Sequence, residues 1–210
     1  SPTTDQSQTI VQCLLLAADR AGVERRSNCG VDRVRSLQQG GYELTLHNGE
    51  NMQCDVLLLA TGGCRALING SLAVSLGHTL TSPVPSLFTF HIADRRLSGI
   101  AGMSVDNARV SVHGTRLDET GPVLITHWGL SGPAILRLSA WGARELHGRD
   151  YRFTLRVNWL GDMTMNAAVA LCQRQRGING ARQVCNAPVA GLPSRLWEKL
   201  ADAAGIAREM

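Results

Sequence analysis

The chain has 210 residues, 44 % of them apolar and 18 % charged, with a net charge of +4 at pH 7. A globule of this length buries roughly 70 % of the surface its unfolded chain would expose, and the composition excludes disordered, collagen-like and membrane-embedded classes. The charge comes from 20 Arg and one Lys spread along the sequence without a basic stripe interleaved with aromatics, so no nucleic-acid partner is expected.

The chain opens with a predicted helix capped by Asp5 or Ser7, its apolar face made by Ile10, Cys13, Leu14, Ala17 and Ala21, with Gly22 as its stop. Val23 to Arg26 reads as a short strand and Ser27 to Gly30 as a polar corner. Val31 and Val34 continue as extended chain. A hairpin follows, in which Tyr42, Leu44 and Leu46 alternate with polar residues, Asn48-Gly49 turns, and Met52 and Cys54 resume the alternation. Val56 to Ala60 is apolar on both phases, which predicts a strand covered on both faces and ending at Thr61-Gly62-Gly63. This order of elements is that of a layered α/β nucleotide-binding domain.

A short helix around Leu72 to Leu76 ends at Gly77, and Pro83-Val84-Pro85 forms a rigid connector between two domains, 1–80 and 81–210. Beyond it the pattern is β-rich, with strands expected at Leu87–Ile92, Gly99–Val105, Arg109–His113 and Val123–Trp128. Pro133 starts a helix behind Ser131 or Gly132, with Ala134, Ile135, Leu138, Trp141 and Leu146 as its buried stripe. Tyr151 to Trp159 alternates cleanly and predicts a strand. The remainder reads as helical, with helices expected at Met163–Arg174 and from Pro193, the latter with Leu196, Trp197 and Leu200 inward, over about 161–205.

Six cysteines (13, 29, 54, 64, 172 and 185) show no C-x-x-C, and the six histidines show no H-x-H, so reduced and mostly buried thiols and no metal site are expected. With no leader pattern at the start, a cytoplasmic location is expected. Ala60-Thr61-Gly62-Gly63 is the most informative local feature. Ligands of layered α/β folds lie beyond the carboxyl ends of strands, where glycines admit a phosphate or a ring close to the backbone. Gly129-Leu130-Ser131-Gly132-Pro133 fails the G-x-S-x-G pattern of a nucleophile elbow, which leaves Ser131 as a helix cap. His127 is either a ligand-facing residue or a structural one. No G-x-G-x-x-G and no Walker loop occurs anywhere.

Ala60-Thr61-Gly62-Gly63, then Gly77-His78-Thr79, Pro83-x-Pro85-Ser86-Leu87, and Thr126-His127-x-Gly129-x-Ser131-Gly132-Pro133-Ala134-Ile135-Leu136 together resemble the BaiN-like family of NAD(P)/FAD-dependent flavoproteins, which includes aminoacetone oxidases. Pro2-Thr3-Thr4-Asp5-x-Ser7 and Arg195-Leu196-Trp197 are similar to further stretches of that family. The resemblance implies an α/β plus β fold, with part of a two-dinucleotide-binding type FAD domain followed by an inserted β-rich domain with its helical subdomain. It implies an internal fragment of an FAD-dependent oxidoreductase, inactive as this chain alone, that moves a hydride between a small organic substrate or NAD(P)H and the flavin. Val31, Ala60, Thr61, Gly62 and Gly63 would lie against the FAD, and Thr126, His127 and Ser131 would face the substrate. No catalytic acid or base is singled out. The rival expectation is a non-catalytic binding domain derived from such a protein.

Overall fold

The computed structural model describes residues 3–63, 67–178 and 183–206. Cys64 and Pro2, the first residue of the family resemblance, lie outside them. The chain divides into two compact units, Ser1–Pro83 and Val84–Met210.

Unit 1 begins with helix α1 (Ser7–Arg20), whose cap position is Gln6 with no side-chain hydrogen bond, so neither Asp5 nor Ser7 caps it. Gly22 does end it, with φ +69°. The expected apolar face covers nothing among the described residues: Ile10 and Leu14 are exposed, as is Cys13. Val23 to Arg26 forms no strand. Its arginines are engaged sideways instead, Arg25 with Asp19 and Arg26 with Glu24 and Glu50.

Three strands follow in an antiparallel meander, β1 (Val31–Ser36), β2 (Tyr42–Leu46) and β3 (Asn51–Cys54). Gly49 turns the second hairpin at φ +83°, a conformation that L side chains avoid. Val34 and Leu46 are the buried residues of this sheet, and helix α2 (Leu67–Ser75) packs on β1. The doubly covered strand expected at Val56–Ala60 is absent. The backbone there has no ladder partner among the described strands, and Val56 and Leu58 are 85 % and 86 % exposed. Burial on both faces requires flanking strands, and the meander stops one strand short of it.

Unit 2 is a curled five-stranded antiparallel sheet with helices against it. In chain order its strands are β4 (Phe90–His91), β5 (Ser104–Val112), β6 (Asp118–Thr126), β7 (Gly129–Ser131) and β8 (Leu155–Asn158), and across the sheet they run β4-β7-β6-β5-β8. The two strands expected at Gly99–Val105 and Arg109–His113 are replaced by the single strand β5. A bulge divides it, with Val105 opposite Val123 and Ala108 opposite Gly121, so that Asp106 and Asn107 face the single residue Pro122. Proline has no N–H to give the ladder, and the extra residue takes up the mismatch. Inward residues keep their phase on either side: Val105, then Ala108, Val110 and Val112, against Val123 and Ile125 of β6.

Helix α3 (Pro133–Trp141) starts with Pro133 at its first turn and lays Ala134, Ile135 and Leu138 on this core. Its cap is Gly132, and Ser131 belongs to β7, which corrects the expected serine cap. Trp141, expected in the stripe, is 79 % exposed, whereas Leu146 of α4 (Ala143–His147) is fully buried. The buried Ser139 hydroxyl accepts from the Phe88 amide at 3.0 Å and donates to the Leu136 carbonyl at 2.9 Å, tying the approach to β4 onto α3. The expected Tyr151–Trp159 strand is only β8, because Asp150 and Tyr151 sit at positive φ and form a turn. Helix α5 (Met165–Ile178) has no buried residue, while α6 (Ser194–Ala203) buries Leu196 and Ala201. The Trp197 indole N–H donates to the Val184 carbonyl at 2.6 Å. No helix of the described residues is long and apolar enough to cross a membrane.

Leu138→Ala should cost about 2–5 kcal/mol, whereas Trp141→Ala should stay within about 0.5 kcal/mol, as measured by urea unfolding. Equal costs would place Trp141 in the core after all.

Candidate functional site

On unit 1, Val31 opens β1 half-buried and opposite Leu46. The Gly30 carbonyl before it accepts from the His47 amide at 2.9 Å, and the His47 ring meets the Asp32 carboxylate. Ala60, Thr61, Gly62 and Gly63 run as an exposed strip without regular structure. A Cβ added at Gly62 or Gly63 would meet nothing within 4 Å. No side chain at Gly62 or Gly63 keeps a flat ligand away from the strip, and the described residues around it build no cradle for a diphosphate. The glycine-rich turn and helix N-terminus that bind a diphosphate are likewise absent from the sequence.

On unit 2 the residues expected on the substrate side fall in one hairpin. Thr126 closes β6 opposite Gly129, and Ser131 pairs with Leu124, so His127 and Trp128 are the two residues of the turn. The Thr126 hydroxyl is buried and without a hydrogen-bond partner among the described groups. Ser131 is half-buried, and His127 is exposed at the tip.

Gly129 dictates where this hairpin sits. A Cβ there would lie 2.1 Å from the Phe90 carbonyl oxygen and 2.7 Å from the Ile92 nitrogen, and its φ is +150°. Only the absence of a side chain lets β4 close on β7, where the Ile92 amide donates to the Trp128 carbonyl at 2.9 Å. Gly132 makes a second close approach, with the position of its missing Cβ 2.8 Å from the Pro122 carbonyl.

Sequence reasoning missed what this packing assembles. Trp128 is 57 % exposed and stacks on His91 of β4, ring centroids 6.4 Å apart and planes 14° from parallel. His127 tilts against the same indole at 6.3 Å. Because β4 and β8 are the two edges of a curled sheet, they line opposite sides of one groove of about 960 Å³. Aromatic rings bridge the gap between the edges. Phe90 meets Phe153 at 5.0 Å and Phe88 meets Tyr151 at 5.5 Å, both edge-to-face. The alternation of Phe88 with Phe90 and of Tyr151 with Phe153 was the available signal; their pairing across the sheet opening was not.

Charge at the groove is sparse. Asp94 caps a short 3-10 turn, η1 (Arg95–Leu97), by accepting from the Arg96 amide, and it holds the Arg96 guanidinium at 2.5 Å. Hydrogen bonding from Arg96 keeps the Asp94 carboxyl below the ordinary carboxylate range. Arg156 lines the groove and has no carboxylate partner among the described residues. On the sheet beside it, Asp118 and Asp162 both engage Arg109. The five described cysteines are free thiols, of which Cys185 alone is buried, and Cys13 and Cys172 are exposed, against the expectation of mostly buried thiols. No group of three or more His, Cys, Asp or Glu among the described residues could hold a metal.

A curled antiparallel sheet followed by helices, with its ligand-sized groove on the open side, defines unit 2 as a barrel-and-helix domain. The chain belongs to the HI0933-like family: the model of the HI0933-like protein barrel and H2TH domain matches residues 84–210. This agrees, at the level of family, with the resemblance carried by Thr126 to Leu136. The chain is 27 % identical over 171 residues to a 3-dehydro-bile acid delta(4,6)-reductase of Clostridium scindens, covering 77 % of the chain and 41 % of that protein. It is 28 % identical over 206 residues to the ribosomal RNA dihydrouridine synthase of Escherichia coli, covering 93 % of the chain and 48 % of that protein. The synthase of the same name from Haemophilus influenzae is 28 % identical over 144 residues. The chain spans less than half the length of each of these relatives.

Gly129→Ala should destabilise unit 2 by more than about 3 kcal/mol, since backbone cannot yield as a side chain can. Gly114→Ala, at φ +74° in open space, should cost only about 1–2 kcal/mol. Asp94 has a lowered native pKa, so its contribution is complete above the unfolded value of about 3.9 and is lost as pH falls through the native one. Asp94→Asn should therefore flatten the fall in thermal stability below about pH 4 and leave the neutral slope unchanged.

Proposed function

We propose that the protein is an FAD-dependent oxidoreductase, to which unit 1 contributes one edge of the cofactor site and unit 2 the domain that handles the substrate. The observation that carries this reading is the family match over residues 84–210, joined to relatives whose names are those of a reductase and of a dihydrouridine synthase. Both names describe adding hydrogen across a carbon–carbon double bond of a ring. The reduced form of FAD, when bound, would supply the hydride for such a step, with a proton from solvent completing the addition and NAD(P)H as the donor that re-reduces the flavin.

The residues of this chain then have binding roles. Val31 and the Ala60–Gly63 strip pass along the cofactor, with the glycines leaving the main chain bare for contact. Thr126, His127 and Ser131 contribute to the substrate side, with His127 exposed at the tip of their hairpin. The described residues build no diphosphate cradle, so the affinity of this chain for FAD alone is weak. The same lack favours the second reading, a binding domain derived from such an enzyme and without redox activity.

The relatives' names carry two substrate classes, a small steroid and ribosomal RNA. The sequence reading expected a small molecule and no nucleic acid. Unit 2, however, holds fifteen of the 21 Lys and Arg but only ten of the 17 Asp and Glu, so all of the net positive charge lies there. That asymmetry favours a polyanionic substrate. A soluble enzyme in the cytoplasm fits either substrate.

Titrating the chain into FAD and following quenching of flavin fluorescence tests the cofactor edge. Gly63 has ordinary φ and open space around it, so Gly63→Leu should keep the fold yet weaken binding about fivefold or more, roughly 1 kcal/mol. His127→Ala should leave it unchanged. Equal affinity in Gly63→Leu and wild type would remove the strip from the cofactor site.

A further inference from the structure

Resting on the oxidoreductase reading, and on RNA as its substrate class, we propose that the open side of the unit 2 barrel is the RNA-binding surface. An unpaired stretch of RNA lies in the groove between the edge strands β4 and β8, with one base stacked on the Trp128–His91 pair.

Trp128 is the first reason. A large apolar ring more than half exposed at the tip of a two-residue turn contributes little to the core, yet it is held firmly in place. Its position is fixed by the close approach at Gly129, and its plane is set by the nearly parallel His91 ring. A flat surface of this kind takes a nucleobase of any identity, because every base has a π-face.

The second reason is continuity. His91 belongs both to this stack and to the lining of the groove, so the platform stands at the groove's mouth. Inside, Tyr151 and Phe153 give further ring surface, and the Thr89 and Thr154 residues give polar atoms at the wall. A volume of about 960 Å³ is well beyond what a single pyrimidine ring fills and suits a short run of nucleotides.

Charge supplies the third reason. Asp94 is already neutralised by Arg96, which leaves the unpaired Arg156 as the net charge of the lining, with Arg152 exposed two residues before Thr154. An arginine without a carboxylate partner is available to a phosphate. A bile acid would use the apolar wall and could pair its single carboxylate with that cation, so what sets RNA apart is the exposed ring platform at Trp128 together with the excess of positive charge on unit 2. An A-form duplex keeps its bases stacked inside and presents none to Trp128.

Fluorescence anisotropy of a short labelled oligouridylate at low salt tests the proposal on the 210-residue chain. The wild type should bind it in preference to an RNA duplex. Trp128→Ala should weaken binding about tenfold and Trp128→Phe should retain most of it. Arg156→Ala should weaken binding and lower the salt slope by about one. Melting curves establish that the variants fold; if Trp128→Ala does not, Trp128→Phe and Arg156→Ala still decide. Wild-type affinity in Trp128→Ala and Arg156→Ala would overturn the proposal, as would equal displacement of the oligouridylate by polyglutamate, which would mark the surface as a general polyanion site that does not read bases. Groove-independent RNA binding would sink this surface and leave the flavin titration untouched. Failure of Gly63→Leu to affect FAD binding would sink the cofactor edge and leave this result standing.

Discussion

The arrangement of unit 2 depends on one contact that no side chain could share. At Gly129 the backbone of β7 comes so near the Phe90 carbonyl that a methyl group would overlap it. This approach seats the two-residue strand β4 on the sheet, where β4 makes its ladder with β7 alone. Without it, β4 would have no place in the barrel, Phe90 would leave the core, and His91 would not reach Trp128. The groove exists because β4 is held on one edge while β8 is held on the other by its pairing with β5.

The sheet is thus curled without being closed. Backbone pairing ends at β4 and β8, and edge-to-face aromatic contacts span the space between them. Rings hold two edges together while leaving their outer polar groups accessible, whereas a continuous ladder would have sealed the opening. Unit 1 has a different economy. Its meander buries little, α1 covers nothing among the described residues, and Val56 and Leu58 of the apolar run at 56–60 lie exposed while Leu57 and Leu59 are half-buried. A segment apolar on both phases, yet unpaired, has the composition of an interior strand without the neighbours that would make it one.

What the sequence made legible was local. The Asn48-Gly49 hairpin, the extended start at Val31, the helix after Pro133 and the inward phase of Leu196 all follow from patterns a few residues long, and all are present. The errors share a cause in long-range pairing. Val56 to Ala60 has strand composition but no partner, and the bulge opposite Pro122 fuses two expected strands into β5. Trp141 obeys the helical period yet faces out, because α3 ends there and Leu146 of the next helix takes up the core. The candidate site divided in the same way. Thr126, His127 and Ser131 were recognised as a motif, whereas the stacking of His91 on Trp128 required knowing that two segments far apart in sequence become adjacent strands.

The proposed division of labour puts a cofactor edge on unit 1 and a substrate surface on unit 2. Amide chemical-shift mapping of the nitrogen-labelled chain tests it most directly, because weak binding still registers there. Added FAD should move the resonances of Val31 and of Ala60 to Gly63, and added oligouridylate should move those of His91, Trp128, Phe153 and Arg156. Both ligands perturbing the same residues, or neither perturbing these sets, would contradict the account.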